Sequence, residues 1–230
     1  MMVRRPRLFL LLLAALCCWA GPLHAADAAS SPAVGERFHY RWHLTRLGGF
    51  LAGLFFPDEG DGVLTVEPTR EGVLASELLI TSEQSRANDY FRYGSEVDTR
   101  TGRTLRAWSS YQWRGETKNK SGEVAREQVV DIASGIYLLR RNPPKEPVEM
   151  EIWSDGKIYP VRVVPRGFEF QHHAGASQAT RHLAIEGIHR GSERFWKGSL
   201  DLWLALDDRA TPVQITISRR GAGVQLELVP

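Results

Sequence analysis

Seven histidines are the residues of this chain best suited to metal binding or proton transfer. His39 and His43 are four apart in one predicted strand, which at about 3.3 Å per residue separates them by about 13 Å. That distance is too long for one ion, and no HExxH-type spacing is present. Four more histidines fall in the last third of the chain: His172, His173, His182 and His189. We therefore predict no metal site and no other cofactor.

A pair of carboxylates offers a second kind of chemistry. Glu149 and Glu151 lie on one face of a predicted strand near Asp155, and paired carboxylates can hydrolyse glycosidic bonds. The alternative is a solvated strand face, where glutamate is common. The chain has no G-x-S-x-G elbow and no phosphate-binding glycine loop. A Ser–His–Asp triad cannot be deduced from residue order. We predict no catalytic residue, and we favour a protein that is not an enzyme.

Aromatic side chains are concentrated in two adjacent predicted strands, at Tyr90, Phe91, Tyr93, Trp108, Tyr111 and Trp113. Alternation along the second strand places Tyr111 and Trp113 on one face and Trp108 on the other. A curved sheet lined with such residues could hold an acyl chain, because ligand sites are mostly apolar. The alternative is that these rings fill the core.

A glycine-rich segment over 47–59 separates the first two predicted strands and carries six large apolar residues. If they are exposed, they form an apolar patch of the kind that contacts a membrane, a lipid or a protein. If they are buried, they complete the core. The predicted ligand-binding set combines this segment with the aromatic strands: Phe50, Leu54, Phe55, Phe56, Trp108, Tyr111 and Trp113.

Strict alternation of apolar and polar residues predicts the elements that position these side chains. Phe38, Tyr40, Trp42 and Leu44 define the first strand, and three similar strands close the chain from Leu200 to Leu228. Asp155-Gly156 predicts a tight hairpin between strands at 148–152 and 159–163. Further strands are predicted at 62–67, 73–81, 90–98, 104–114, 126–131 and 181–189.

One segment, Ser134 to Arg141, predicts a short helix with Ser134 as its N-cap, ending before Pro143. Arg140 and Arg141, with Lys145 nearby, would either meet anionic head groups or be solvated at the helix end. The predicted fold is mainly all-β: an antiparallel curved sheet, shaped as a half-barrel or incomplete barrel. The single helix would plug its concave side.

The first residues predict export. Arg4, Arg5 and Arg7 precede a 13-residue apolar run from Leu8 to Ala20, followed by small residues. This order is typical of a secretory signal peptide. The run is shorter than the roughly 18 residues of a spanning helix. We predict a signal peptide over 1–25 cleaved near Ala25, a flexible leader over 26–33 and a single β-rich domain over 34–230. The mature protein would be periplasmic, with no transmembrane segment.

Removal of the signal peptide changes what the chain can do. Cys17 and Cys18 are the two cysteines, and both lie within the signal, so the mature chain can form neither a disulfide nor a thiolate site. The formal net charge of +2 becomes −1 when the three arginines leave with the signal. Nucleic acid is excluded as a partner, because its binding needs a clustered positive patch.

Four segments, in order, resemble an uncharacterised family of exported bacterial proteins, domain of unknown function 3108. They are Val34–Tyr40, Ile136–Arg140, Ser154–Val161 and Leu202–Asp208, the last followed by Pro212-Val213. The segment at 47–59 departs from the family, which usually has a short glycine turn there. The resemblance implies the fold and an envelope location, and no activity. The layout is also similar to half-barrels that shuttle lipoproteins across the periplasm, an analogy of fold alone.

Three hypotheses for function follow. The first is a non-enzymatic envelope protein that binds an apolar ligand, such as a lipid or the acyl chain of a lipoprotein. The second is a protein–protein adaptor of the envelope, which requires Phe50, Phe55 and Phe56 to be exposed. The third is a hydrolase acting on envelope glycans or lipids, which requires a pocket where a histidine or carboxylate meets a nucleophile.

Overall fold

The computed structural model describes residues 35–46, 59–82, 89–113, 115–124, 126, 128–191, 195–219 and 222–230. The predicted signal peptide and leader lie outside these residues. Strands make up 70% of the structure, with one helix. The strands are β1 (Glu36–Arg46), β2 (Glu59–Arg70), β3 (Val73–Ser82), β4 (Tyr90–Asp98), β5 (Thr104–Trp113), β6 (Glu116–Glu123), β7 (Val129–Val130), β8 (Val148–Ser154), β9 (Lys157–His173), β10 (Ala176–Gly187), β11 (Gly198–Ala205), β12 (Pro212–Arg219) and β13 (Ala222–Leu228). The helix is α1 (Ile132–Arg141).

All thirteen strands form one sheet in the order β6-β5-β4-β3-β2-β1-β13-β12-β11-β10-β9-β8-β7. Pairing is antiparallel throughout, except between β7 and β8. The edges β6 and β7 do not pair, so the sheet is not closed into a barrel. The predicted fold class, an incompletely closed antiparallel sheet with one short helix, is confirmed.

The antiparallel order gives the sheet two ends. The end that carries the connections at 71–72, 99–103, 174–175 and 206–211 is called the lower end. The upper end carries the connections at 47–58, 83–89, 155–156 and 188–197. The segment 47–58 therefore leaves β1 and re-enters β2 at the upper end, and its own structure is outside the described residues.

The inner face of the sheet holds the main core, in which Tyr40 and Trp42 of β1 are both buried. Two glycines of β2 make room for them. A Cβ on Gly60 would overlap the Thr81 carbonyl oxygen and lie 2.6 Å from Trp42 Nε1, and one on Gly62 would lie 2.6 Å from Leu226 Cδ2. The Trp42 indole instead lies across Gly60 and donates to the Thr81 carbonyl at 2.7 Å. The absence of side chains at Gly60 and Gly62 thus leaves room for the Trp42 ring and for Leu226.

The helix lies on the inner face, as predicted, but it begins two residues earlier than expected, at Ile132. Its N-cap is Asp131 and not Ser134, since the Asp131 carboxylate accepts from the backbone N–H groups of Ser134 (2.9 Å) and Ala133 (3.2 Å). The Ser134 hydroxyl accepts from the Asp131 N–H at 3.0 Å, which completes a capping box. Asp131 ends the predicted strand at 126–131, and the observed strand is only Val129–Val130.

Two strands differ from expectation in length. β6 (Glu116–Glu123) was not predicted because its residues are almost all exposed and polar, with no alternation to mark it. β9 runs for 17 residues, far beyond the predicted 159–163, and pairs with β10 along its length. The resulting β9–β10 hairpin extends past its neighbours at the lower end.

Side chains close the gap that the backbone leaves between the sheet edges. Ala107, Val124, Val129 and Trp153 form a small buried cluster between β5, β7 and β8. At the β8–β9 turn, the Ser109 hydroxyl donates to Asp155 Oδ1 at 3.1 Å. The sheet is therefore curved enough for side chains near its two edges to touch each other.

Candidate functional site

The structure separates the predicted ligand-binding residues. Tyr111 pairs with Phe91 on the inner face, with ring centroids 5.9 Å apart, and both are half-buried. Trp108 lies on the outer face across Gly94, and its indole donates to Glu77 Oε2 at 3.1 Å. The backbone of Trp113 ends β5, but its side chain is outside the described part. Phe50, Leu54, Phe55 and Phe56 also lie outside the described residues.

The concave side, where an acyl chain was expected, is occupied by α1. Ile132, Ile136 and Leu139 of the helix pack into the same core as Leu183, Leu202 and Ile215 of the sheet. A cavity of about 20 Å³ remains between α1 and strands β8 to β11, which is room for about one water molecule. Around α1 the described part of the inner face is therefore packed with the protein's own side chains, whereas Leu44, Phe91 and Tyr111, toward the upper end, are only partly buried.

The buried carboxyl of Asp131 joins α1 to the sheet. Besides its capping contacts, it accepts from the hydroxyls of Ser95 on β4 (2.6 Å) and Ser134 (2.7 Å). Burial raises the pKa of Asp131, while the hydrogen bonds from Ser95 and Ser134 act in the opposite direction. All three side chains are buried, so this carboxylate and its hydroxyls hold the helix and are not reachable by a substrate.

A buried ion pair fixes the other end of the helix. Arg140 Nη1 lies 2.9 Å from Glu36 Oε2, and both side chains are almost fully buried. The same guanidinium donates to the carbonyls of Arg209 and Ala210, each at 3.0 Å, and lies over the Phe38 ring. The expectation that Arg140 meets head groups or solvent is wrong. It ties α1 to β1 and to the β11–β12 turn.

Three of the four segments behind the family resemblance meet at this ion pair. Glu36 and Tyr40 come from the first segment, Arg140 from the helix segment, and Pro212 from the last. The Tyr40 hydroxyl donates to the Pro212 carbonyl at 2.8 Å, and burial raises the pKa of Tyr40. These segments thus share a structural role at the lower end of the sheet.

The described residues carry an exposed apolar surface on the β9–β10 hairpin. β8 pairs only with Lys157–Val163 of β9, and β11 only with Thr180–Glu186 of β10. Beyond these limits no strand of the described residues lies beside the hairpin. Phe168 and Phe170, two apart on one face, are 68% and 75% exposed. Leu206 is 54% exposed, and its N–H donates to the Ala179 carbonyl of the hairpin. We call Phe168, Phe170 and Leu206 the hairpin surface.

The hairpin surface faces the same way as the inner wall of the sheet. Phe168 pairs with Arg181, and Arg181 pairs with Leu204, which belongs to the core. Residues paired directly across strands share a face. The alternation Phe168-Glu169-Phe170 is the sequence signal for this surface, and it lies beyond the strand predicted at 159–163.

A polar cluster on the opposite face stiffens the same hairpin. The His182 ring stacks on Trp203 with centroids 4.3 Å apart, and its Nδ1 and Nε2 lie 2.9 Å from Glu169 and Asp201. Trp203 Nε1 donates to Glu169 Oε2 at 2.8 Å. Hydrogen bonds from Trp203 and then His182 lower the pKa of Glu169. Because Glu169 lies between Phe168 and Phe170 in sequence, this cluster holds the backbone that presents both rings.

The remaining candidates for acid–base catalysis, Glu149 and Glu151, are paired with arginines. Glu149 accepts from Arg162 (2.9 Å) and Arg190 (2.8 Å), and the hydrogen bond from Arg162 lowers the pKa of Glu149. Glu151 pairs with Arg126 at 3.2 Å. A general acid at neutral pH needs a raised pKa, so this carboxylate pair gives no support to a glycosidase.

Two other features are absent from the described residues. No group of three or more His, Cys, Asp or Glu side chains is placed there to hold a metal ion. The carboxylates around His182 lie on opposite ring nitrogens and do not converge. Within the same part of the chain, the one helix is not long and apolar enough to cross a bilayer.

Two solved structures are among those similar to this chain. One is a β-barrel-like protein of domain of unknown function DUF1849 from Brucella abortus, 9% identical, covering 86% of this chain and 97% of that chain with a TM-score of 0.45. The other is the lipoprotein LppX of Mycobacterium tuberculosis, 14% identical, covering 88% of this chain and 87% of that chain with a TM-score of 0.32. No family model and no curated protein matches the chain.

Proposed function

We propose that this is an exported, non-enzymatic protein of the bacterial envelope that binds an apolar ligand, of the class of a lipid or the acyl chain of a lipoprotein. We propose the periplasmic location because residues 1–25 have the pattern of a signal peptide. We propose membership of domain of unknown function 3108 because of the four segments given above.

One observation carries the proposal: the exposure of Phe168 and Phe170, at 68% and 75%. Monomeric proteins usually bury such large apolar side chains, and adjacent exposed ones mark a contact site. The helix occupies the described concave side, so we place the ligand along the hairpin surface and not beneath α1. Tyr111 lies toward the upper end, where β1 and β2 are also connected, and the predicted residues of the connecting segment are tested separately.

A titration with a fluorescent fatty acid tests this proposal. The mature protein is compared with a Phe168→Asp/Phe170→Asp variant and with Val229→Asp, which changes another exposed apolar residue (40% exposed) away from the hairpin. We expect saturable binding by the wild type and the Val229 variant, and at least about a tenfold loss in the Phe variant, since two charged groups would replace the apolar contact. A Phe50→Asp/Phe55→Asp variant tests the upper end separately.

Equal binding by all variants would contradict the placement of the ligand on the hairpin surface. Binding lost only in the Phe50→Asp/Phe55→Asp variant would move the site to the upper end. An absence of binding by the wild type would contradict the apolar-ligand proposal itself.

The second candidate, a protein–protein adaptor, is favoured by the open backbone edge of β9. Residues 164–173 have a strand on one side only, and such an edge can accept an extended peptide by β-augmentation. This candidate predicts recovery of a protein partner by the wild type, lost in the Phe168→Asp/Phe170→Asp variant, with no fatty-acid binding.

A further inference from the structure

We propose that the hairpin surface docks this protein on the surface of a bilayer that contains anionic lipid. The inference rests on the proposed function and names the source of the apolar ligand. It concerns attachment to a membrane surface, whereas the proposed function concerns a soluble complex with one ligand, so the two can fail separately.

The shape of the hairpin suits shallow insertion. Beyond Val163 and before Thr180, its strands pair only with each other. Apart from the Ala179 carbonyl, which accepts from the Leu206 N–H, no described strand pairs with their outer backbone edges. Unpaired N–H and C=O groups cannot enter the hydrocarbon core without large cost. The rings of Phe168 and Phe170 can reach the boundary between head groups and acyl chains while the backbone edges stay in the polar layer.

The charges beside the rings favour an anionic surface. The Arg181 guanidinium lies over the Phe168 ring, 5.7 Å from its centroid, and no ion pair among the described residues involves Arg181. The sequence from 170 to 185 contains no acidic residue. Basic side chains near a membrane surface are attracted to anionic lipid. Arg181 therefore adds to the apolar contact without neutralisation by its own neighbours.

Two carboxylates near this surface are turned away from it or engaged elsewhere, while Asp208 of the same turn is exposed. Glu169 lies on the opposite face, held by His182 and Trp203. Asp207, next to Leu206, accepts from the backbone N–H groups of Arg209 and Thr211 within its own turn. Repulsion of anionic head groups by these residues is thereby reduced.

The same charge disfavours a second copy of the chain as the occupant. Two hairpin surfaces packed face to face would bring two Arg181 guanidinium groups into one small apolar contact. Like charges at an apolar contact oppose association. An anionic bilayer instead complements both the apolar rings and the positive charge of Arg181. It therefore fits the hairpin surface better than a second copy of the chain does.

Vesicle co-sedimentation of the mature protein tests the inference. Vesicles of phosphatidylcholine alone are compared with vesicles that also contain phosphatidylglycerol, at low and high salt. We expect about fivefold tighter binding to the anionic vesicles, the effect of one basic residue near the surface, weakened by salt because the charge contribution is screened. Phe168→Asp/Phe170→Asp should abolish binding, Arg181→Gln should lose most of the preference for anionic vesicles, and Val229→Asp should bind as the wild type does.

Three outcomes would each overturn part of the inference. Equal binding to both kinds of vesicle would overturn the role of Arg181 and anionic lipid, while the apolar-ligand function would stand. Fatty-acid binding without vesicle binding would overturn membrane docking alone. A dimer seen by sedimentation equilibrium, lost in the Phe variant and without vesicle binding, would assign the surface to a second copy. Unaltered circular dichroism of each variant shows that lost binding is not lost folding, and a variant that fails this check is replaced by Phe168→Ser/Phe170→Ser.

Discussion

The guanidinium of Arg140 lies 2.9 Å from the carboxylate of Glu36, and this contact joins the end of α1 to the start of β1 across 104 residues. Both side chains are nearly inaccessible to solvent. Glu36 Oε1 is buried and accepts no hydrogen bond from the described residues. Desolvation of such a pair offsets much of its attraction. The main effect of the ion pair is therefore to position the helix. It holds α1 on the inner face at the lower end, beside the turn that carries Leu206.

Removal of one member of this pair should destabilise the protein strongly. Glu36→Ala leaves the Arg140 guanidinium buried without its carboxylate, which costs about 3–5 kcal/mol in comparable buried pairs. Urea unfolding measures this change in the free energy of unfolding. The exposed pair Arg37–Glu67, at 3.4 Å, is the control, and Glu67→Ala should cost at most about 1 kcal/mol. Similar losses in the two variants would show that the buried pair has no special role.

Gly60 should not tolerate even one added carbon. Its Cβ would overlap the Thr81 carbonyl and approach Trp42 Nε1 to 2.6 Å, whereas a Cβ on Gly122 would meet nothing within 4 Å. Gly60→Ala should therefore cost about 1–3 kcal/mol by forcing Trp42 out of place. Gly122→Ala should change stability little. Chemical unfolding with tryptophan fluorescence compares the two, and equal stability would show that Trp42 does not depend on the gap at Gly60.

Asp131 should give stability an unusual dependence on pH. Burial raises its folded-state pKa above the unfolded value of about 3.9. The folded protein thus holds the proton more tightly, so this group's contribution to stability is present at low pH. It is lost as pH rises from about 4 through the folded-state pKa. The difference in unfolding free energy between wild type and Asp131→Asn, measured against pH, should fall over that range. A difference that rises with pH would contradict this assignment.

The contribution of Glu169 to stability should depend on pH in the opposite way. Its folded-state pKa is lowered, chiefly by the hydrogen bond from Trp203, so its contribution is present above the unfolded pKa of about 4.3 and is lost as pH falls through the folded-state pKa. Glu169→Gln should raise amide hydrogen exchange in the hairpin at 164–173 at neutral pH, with little change in the rest of the sheet. Unchanged exchange in the hairpin would mean that the His182 cluster does not stiffen it.

Sequence patterns were informative where a strand has one buried and one solvated face. Tyr40 and Trp42 in β1 alternate with polar residues, and Leu202 and Leu204 in β11 were predicted to share one face. All four side chains are buried in the main core. β6 lacks any apolar face, so periodicity could not reveal it. The helix start was displaced because Ser134 and Asp131 both have the chemistry of an N-cap, and only the folded geometry assigns Ser134 to the third helical position.

The candidate site was less predictable, for a physical reason. Exposure of Phe168 and Phe170 depends on how far β9 and β10 extend past β8 and β11. That difference in strand length is a property of the assembled sheet. Burial of Arg140 likewise depends on Glu36, more than one hundred residues away, and on two carbonyls of a turn. Local pattern describes a residue's own strand or helix and carries no information on such distant partners.

Native mass spectrometry of the mature protein, purified without detergent and then incubated with envelope lipids, tests the central claim most directly. The account predicts a lipid-sized mass bound to the wild type and to Val229→Asp, and absent from Phe168→Asp/Phe170→Asp. A wild-type protein that stays free of lipid under these conditions would contradict the claim that its ligand is apolar and lipid-like.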